Sequence, residues 1–252
     1  GVVSGANSLI GSQTSDQIGF SGVTALTNGH YVVRSQLWDY GATASAGAVT
    51  WGNGATGTTG VVSGANSLVG STANDQVSTG VTALTNGNYV VNSPWWNNGA
   101  VVDAGAATWG NGSTGVSGVI TSANSLVGSQ ANDNVGYSTL AAGVTALANG
   151  HYVVVSTNWN NGAVADAGAV TWADGGTGLT GAVSTANSLV GSQANDLVGR
   201  NGATALANGN YVVGSQQWDN GAVANAGAAT WGNGVTGITG TIDASGRIRR
   251  AT

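Results

Sequence analysis

Apolar and polar positions along the chain follow one pattern, stated four times. It reads VTALTNGHYVV at 23–33, VTALTNGNYVV at 81–91, VTALANGHYVV at 144–154 and ATALANGNYVV at 203–213. Each copy is an apolar run, an Asn-Gly, and a second apolar run opened by Tyr. Asn-Gly between β-prone runs marks a tight hairpin, because both central residues need positive φ and these two types tolerate it. The pattern predicts four β-hairpins, each the centre of one structural unit.

Around the hairpins lies a longer repeat. GVVSGANSLIGS opens the chain and returns in close copies at Gly60, Gly118 and Gly181, with a worn fifth copy, GTIDASGRIRRA, at Gly240. Successive starts lie 59, 58, 63 and 59 residues apart, a period too long for a leucine-rich repeat or a single β-helix coil. After each hairpin comes a Trp-containing turn (QLWDYG, PWWNNG, TNWNNG, QQWDNG), then a small-residue strand ending in Trp (AGAVTW or AGAATW), then a Gly-rich turn. One domain is expected over 1–252, with repeats at about 1–59, 60–117, 118–180 and 181–239 and a terminal strand at 240–252.

Each unit reads as four strands in a meander, in the second unit 80–84, 88–92, 104–109 and 116–126. The middle strands are near-continuous Val, Ala and Tyr, which suits a sheet covered on both faces. Four-stranded antiparallel sheets repeated in series predict an all-β fold, a β-propeller with four blades. A β-solenoid is the alternative. Hairpins reverse the chain whereas solenoid coils run parallel, which favours the propeller.

Composition sharpens this. The chain has 44 Gly, one Pro, one Phe and no Cys or Met; its acids are ten Asp and its cations five Arg. Good helix formers such as Glu, Lys and Met are missing, so essentially no helix is expected. Net charge is −5 with no basic stripe, which argues against nucleic acid as a partner. Arg247, Arg249 and Arg250 read as a solubilising tail. No run of 18 apolar residues exists, so no membrane insertion is expected. The chain opens at Gly1 and holds no Met, as expected of a processed product or an excised segment, and the lack of thiols suits a secreted or cell-surface protein.

The stretch GSTANDQVSTGVTALTNGNYVVNSPWWNNGAVVDAGAATWGNGSTG resembles the FG-GAP repeat of integrin-type β-propellers. The Phe-Gly position looks like Ile18-Gly19, Val77-Ser78, Val135-Gly136 and Val198-Gly199. The Gly-Ala-Pro position looks like Asn92-Ser93-Pro94. The family's calcium loop would fall at 26–30 and its equivalents, where no carboxylate stands, so no calcium is expected. The repeats also resemble those of filamentous-haemagglutinin-type bacterial exoproteins, which implies an adhesive role outside the cell.

Candidate chemistry is sparse. His30 and His151 occupy a turn position that is Asn88 and Asn210 elsewhere, and so read as turn residues. Asp16, Asp75, Asp133 and Asp196 recur once per unit and read as acceptors within their own loops. No nucleophile elbow or metal-ligand spacing is present, so neither a cofactor nor an enzymatic activity is expected. Trp51, Trp109, Trp172 and Trp231 read as core between blades. Trp38, Trp96, Trp159 and Trp218, with the extra Trp95, read as blade-edge residues that could stack on a glycan, making a lectin the alternative function. The leading expectation is a structural or adhesive repeat protein whose partners are other copies of itself. Its spare opening segment, including Val2, Val3, Ser4, Leu9 and Ile10, would add to a neighbour's sheet edge.

Overall fold

The computed structural model describes residues 1–242 and, by backbone alone, 248–249; the arginine tail lies outside the residues whose side chains are described. Among the described residues all regular elements are strands. The opening segment supplies β1 (Leu9–Ile10). The first unit continues with β2 (Val23–Ala25), β3 (Tyr31–Ser35), β4 (Ala48–Gly52), β5 (Gly60–Val61) and β6 (Ser67–Val69). The second follows with β7 (Gly80–Ala83), β8 (Tyr89–Ser93), β9 (Ala106–Gly110), β10 (Gly118–Val119) and β11 (Leu126–Val127). In the third come β12 (Val144–Ala146), β13 (Tyr152–Ser156), β14 (Ala169–Ala173), β15 (Gly181–Ala182) and β16 (Ser188–Val190). The last has β17 (Ala203–Ala205), β18 (Tyr211–Ser215), β19 (Ala228–Gly232) and β20 (Gly240–Ile242), then β21 (Ile248–Arg249). No helix is long and apolar enough to cross a membrane among the described residues.

The hairpins fall where Asn-Gly puts them. Val23 faces Val33, Thr24 faces Val32 and Ala25 faces Tyr31, and the same register holds in the other three units. The third strand pairs antiparallel with the second over five residues in every unit. At its end Tyr31, Tyr89 and Tyr211 lie opposite Gly52, Gly110 and Gly232. A Cβ at any of those glycines would run into the phenol ring, so the absent side chain makes room for the aromatic one across the ladder.

The fourth strand departs from the sequence reading. The expected single strand at 116–126 is two strands in two different sheets. β10 runs parallel to β6 and extends the first sheet, while β11 runs antiparallel to β9 and completes the second. The cause is a tight turn built by one Asn. Asn124 accepts from the Thr121 amide at 2.8 Å and donates to the Val119 carbonyl at 2.9 Å. Asn7, Asn66 and Asn187 do the same in their copies. Each sheet is therefore mixed, with its outermost strand lent by the following unit: β10-β6-β4-β3-β2, then β15-β11-β9-β8-β7, then β12-β13-β14-β16-β20-β21. Only β17-β18-β19 remain in the last, and β1 pairs with β5 alone.

Sheets stack in chain order, face against face. Leu26, Val32, Val49 and Leu68 of the first sheet pack on Tyr89, Val91, Trp96 and Ala106 of the second. Leu84, Val90, Ala107 and Leu126 then meet Tyr152, Val154, Trp159 and Ala169, and Leu147, Val153, Val170 and Leu189 meet Tyr211, Val213 and Trp218. Adjacent valines of one strand thus serve opposite joints, which is why the run does not alternate with polar residues. Burial pushes the phenols of Tyr89, Tyr152 and Tyr211 well above their ordinary value. The outer face of the first sheet is covered in part by Leu9 and Ile18, which pack on Trp38 and Val69, but stays open at Val23, 61% exposed, and that of the last sheet stays open at Trp231, 53% exposed. The described packing joins each sheet to the next and does not close a ring.

The two tryptophan sets exchange roles relative to expectation. Trp38, Trp96, Trp159 and Trp218, expected at blade edges, are 3–6% exposed and lie in the core, and their indole N–H groups have no protein acceptor. Each follows the Ser that ends the second strand, and the turn there folds the ring back onto its own sheet, with the Trp amide donating to the Ser carbonyl. Trp51, Trp109 and Trp172, expected as full core, are only half-buried. Trp96→Ala is therefore expected to cost about 3–5 kcal/mol, the usual range for emptying a buried aromatic site, and Trp109→Ala distinctly less; urea unfolding of the two variants checks the order.

Candidate interface at the repeat joints

The joint between successive sheets is built by the same residues three times. Trp51 Nε1 donates to the Gly112 carbonyl at 2.8 Å, Trp109 Nε1 to Gly175 at 2.9 Å, and Trp172 Nε1 to Gly234 at 3.0 Å. The hairpin Asn of the same unit shares that acceptor: Asn28 to Gly112 at 2.9 Å, Asn86 to Gly175 at 2.8 Å, Asn149 to Gly234 at 2.7 Å. A carbonyl has two lone pairs, so both bonds fit one oxygen; at Gly175 the Asn88 side chain adds a third donor at 2.9 Å.

The receiving turn is shaped for the ring. Gly115, Gly178 and Gly237 hold φ of 77°, 76° and 69°, and a Cβ there would sit 2.5–2.7 Å from the Cβ of the incoming Trp. Glycine supplies both the left-handed backbone and the empty space. The hairpin Gly of the receiving unit makes a second seat: a Cβ at Gly87, Gly150 or Gly209 would lie 3.0–3.2 Å from the Cβ of Asn28, Asn86 or Asn149.

His30 and His151 belong to this turn. Each Nδ1 accepts from the amide of Gly54 or Gly175 at 3.1 Å. Asn88 and Asn210 use Oδ1 for the same task on Gly112 and Gly234, at 2.9 Å. The rings also lie 4.9 and 5.1 Å from Trp51 and Trp172. Among the described residues no group of three or more His, Cys, Asp or Glu is placed to hold a metal ion.

The four aspartates are buried and fully engaged. Asp75 accepts from the amides of Ser71 and Thr72 at 2.8 Å each on one oxygen, and from the Asn97 amide at 3.0 Å on the other. Asp16, Asp133 and Asp196 repeat the arrangement. Each carboxylate therefore ties its loop to the Trp turn of the same unit.

Of the residues read as glycan contacts, the four buried indoles are withdrawn from any surface. Trp95 is half-buried, 5.5 Å from the ring of Tyr137. The opening segment is split. Val2, Val3 and Ser4 are exposed, at 88% and 75% for the two valines, whereas Leu9 and Ile10 pair in parallel with Gly60 and Val61. The residues that form the joint at the chain's two ends, Gly54 and Gly57 in the first unit and Asn208 and Trp231 in the last, escape sequence reading. They match their equivalents in type, and only their place at the ends of the stack sets them apart.

A family model described as a repeat of unknown function, DUF5650, matches residues 1–20, 25–79, 83–137, 146–200 and 205–246. The chain belongs to the DUF5650 repeat family. Comparison with curated proteins finds no match. The match falls in five segments, the first of them short. Segment 25–79 carries the end of β2, then β3, β4 and β6 of one sheet, together with β5, which pairs with β1, and the loop of Asp75.

Losing the turn acceptor should matter only where the turn is covered. Gly175 is buried and Gly54 exposed, so His151→Ala is expected to cost about 1–2 kcal/mol and His30→Ala less. His151→Asn should restore the lost stability, because Asn already performs this role at Asn88 and Asn210. Thermal melts of the four single variants, including His30→Asn, check the pattern.

Proposed function

We propose that the chain is a non-enzymatic structural or adhesive repeat protein of the bacterial exterior that assembles head to tail through its opening strand. Its sheets keep the antiparallel core of a propeller blade, with a parallel strand added at the outer edge, and form an open stack. The extracellular assignment rests on the thiol-free, Gly-rich composition and on the resemblance to FG-GAP and filamentous-haemagglutinin-type repeats. Against catalysis stand the four aspartates, each consumed by backbone donors, and the absence of any nucleophile motif.

A single observation carries the assembly reading. Thr50–Ser67, Thr108–Ser125 and Thr171–Ser188 form buried hydroxyl pairs at 2.7 Å where the third strand meets the fourth. Thr230 and Ser8 are the two unmatched halves of a further pair. By the register of β14 on β16, a second copy's β1 laid antiparallel on β19 sets Ala228 opposite Ile10, Ala229 opposite Leu9 and Thr230 opposite Ser8. The chain's own fifth copy is ill-suited to that place. It carries Arg247 where the pair needs Ser, and Arg249 where Val69, Val127 and Val190 are buried; burying arginine there without a partner is costly. Accordingly Ile248–Arg249 pairs back on β20 and leaves the outer edge of β19 open among the described residues. Residues 1–3 of the incoming copy would compete with Gly240–Ile242 for the edge of β16. Residues 1–3 belong to no strand, so they are the ones to yield.

Removing residues 1–12 is expected to abolish concentration-dependent growth in light scattering and filaments in electron micrographs, and a synthetic peptide of those residues should inhibit the intact chain. A full-length chain that stays monomeric at high concentration, or a truncated one that assembles as before, contradicts the reading.

A glycan-binding function is the second reading, and its place moves. A pocket of about 240 Å³ between the first two sheets is lined by Trp51, Thr58, Asn66, Thr114 and Ser117. An indole beside hydroxyl and amide groups suits the apolar face and hydroxyls of a sugar. Saturable binding on a glycan array, lost in Trp51→Ala, supports it; no binding to any glycan rejects it.

A further inference from the structure

The joint that repeats three times inside the chain is left half-made at each end, and the halves are complementary. On the last sheet Trp231 and Asn208 are exposed, as is Ala229, whereas the equivalents of Ala229 (Val49, Ala107 and Val170) are buried. Leu206 and Val212 are partly uncovered, although Leu26, Leu84 and Leu147 and also Val32, Val90 and Val153 are buried in earlier units. On the first sheet Gly54 is exposed where Gly112, Gly175 and Gly234 are buried. A Cβ at Gly57 or at Gly29 would meet nothing within 4 Å, whereas at every equivalent glycine it meets the Trp or Asn of the preceding unit. Val23 and Ala25 are exposed on the strand that leads into this hairpin turn, and Phe20 is exposed before that strand begins.

We infer that Trp231 of one copy locks into the Gly54–Gly57 turn of a second copy, its indole N–H and the Asn208 amide both donating to the Gly54 carbonyl. This rests on the head-to-tail reading and adds what that reading lacks, a lock that selects the partner. Strand pairing is tolerant of sequence, since its bonds are made by backbone. The indole seat is not tolerant: it requires a glycine notch, a left-handed backbone and a free carbonyl at set positions. The partner is a second copy of this chain, because the missing contacts are those the chain already makes three times with itself. A heterologous contact of this kind is not self-limiting, and so propagates.

The lock can be tested from both sides. Trp231→Ala removes the key. Gly57→Asn fills the seat while keeping a residue that tolerates positive φ. Both positions are exposed, so each variant should keep the native circular dichroism and melting temperature. In sedimentation velocity over a concentration series, each variant alone is expected to associate at least about tenfold more weakly than the intact chain, as for a central interface aromatic. An equimolar mixture should stop at dimers, because it retains one good key and one good seat per pair. Should both variants associate like the intact chain while the chain lacking residues 1–12 does not, the lock is refuted and the strand reading survives; an intact chain that never associates refutes both. A covalent check is independent of affinity. The chain has no Cys, and Gly29 and Asn208 correspond to the internal pairs whose Cβ atoms would lie 3.0–3.2 Å apart, close to disulfide range. A Gly29→Cys, Asn208→Cys double variant is expected to give a ladder of oligomers on a non-reducing gel. Monomer alone, or a monomer bridged end to end within itself, overturns the inference.

Discussion

Everything in this fold depends on one need: a sheet of Val, Ala and Tyr with two apolar faces must be covered twice. The chain is poor in the means other proteins use to cover a sheet. It has few charged residues and, among the described residues, no helix to lay across a face. The cover for each sheet is therefore the next sheet, and the stacking distance is set where backbone meets ring. Trp51 can reach Gly112 only because Gly115 has no Cβ. The apolar contacts of Leu26, Val32 and Val49 form at that same spacing. Glycine here is not looseness; it is the hole that fixes the joint.

Sharing of strands makes the stack cooperative. Because β10 closes the first sheet and β11 the second, the eight residues between Gly118 and Val127 tie two sheets by backbone. Loss of one unit would thus leave an open edge on its neighbour as well as an open face. Repeat arrays whose stability is a sum of units and nearest-neighbour terms are least stable at their ends. Here the last sheet, with three strands and an uncovered Trp231, has both a missing edge and a missing face.

The hairpins, their register and the repeat period were legible in the sequence because Asn-Gly turns and Tyr-Val runs are local signals. Covered faces were legible too, from valines that fail to alternate. What escaped was non-local. Nothing in VSGVITSANSLVG says that a side chain at Asn124 divides one apparent strand between two sheets. The tryptophans were misassigned for a related reason. Trp96 sits beside Asn and Gly, which reads as surface, yet its turn folds inward over the sheet; Trp109 ends an Ala-rich strand, which reads as core, yet lies at the rim of the joint. Burial was decided by the direction in which a turn closes, and composition around a residue does not encode that. The His-to-Asn exchange was correctly read as a turn feature, but its purpose, an acceptor for one glycine amide, needed the neighbouring turn to be in place.

Proteins that expose sheet edges usually blunt them with lysine, proline, bulges or inward charges, because unpaired backbone recruits other chains. This chain has no lysine, and its one proline, Pro94, is buried in the second unit. The edge of β19 carries Ala228, Ala229 and Thr230, and the uncovered face carries Trp231, Val212 and Leu206; none is charged. At the opposite end Val23, Phe20 and the bare Gly54–Gly57 turn are equally undefended. Charge is not absent from the chain's repertoire, since Arg34 lies on the first sheet and reaches Thr79. It is missing from the two surfaces that match each other and present, as Arg247 and Arg249, in the fifth copy that would otherwise occupy one of them. Protective residues are thus lacking where a second copy fits, and a disruptive pair stands where the chain would cap itself. That distribution favours propagation of the joint over its termination.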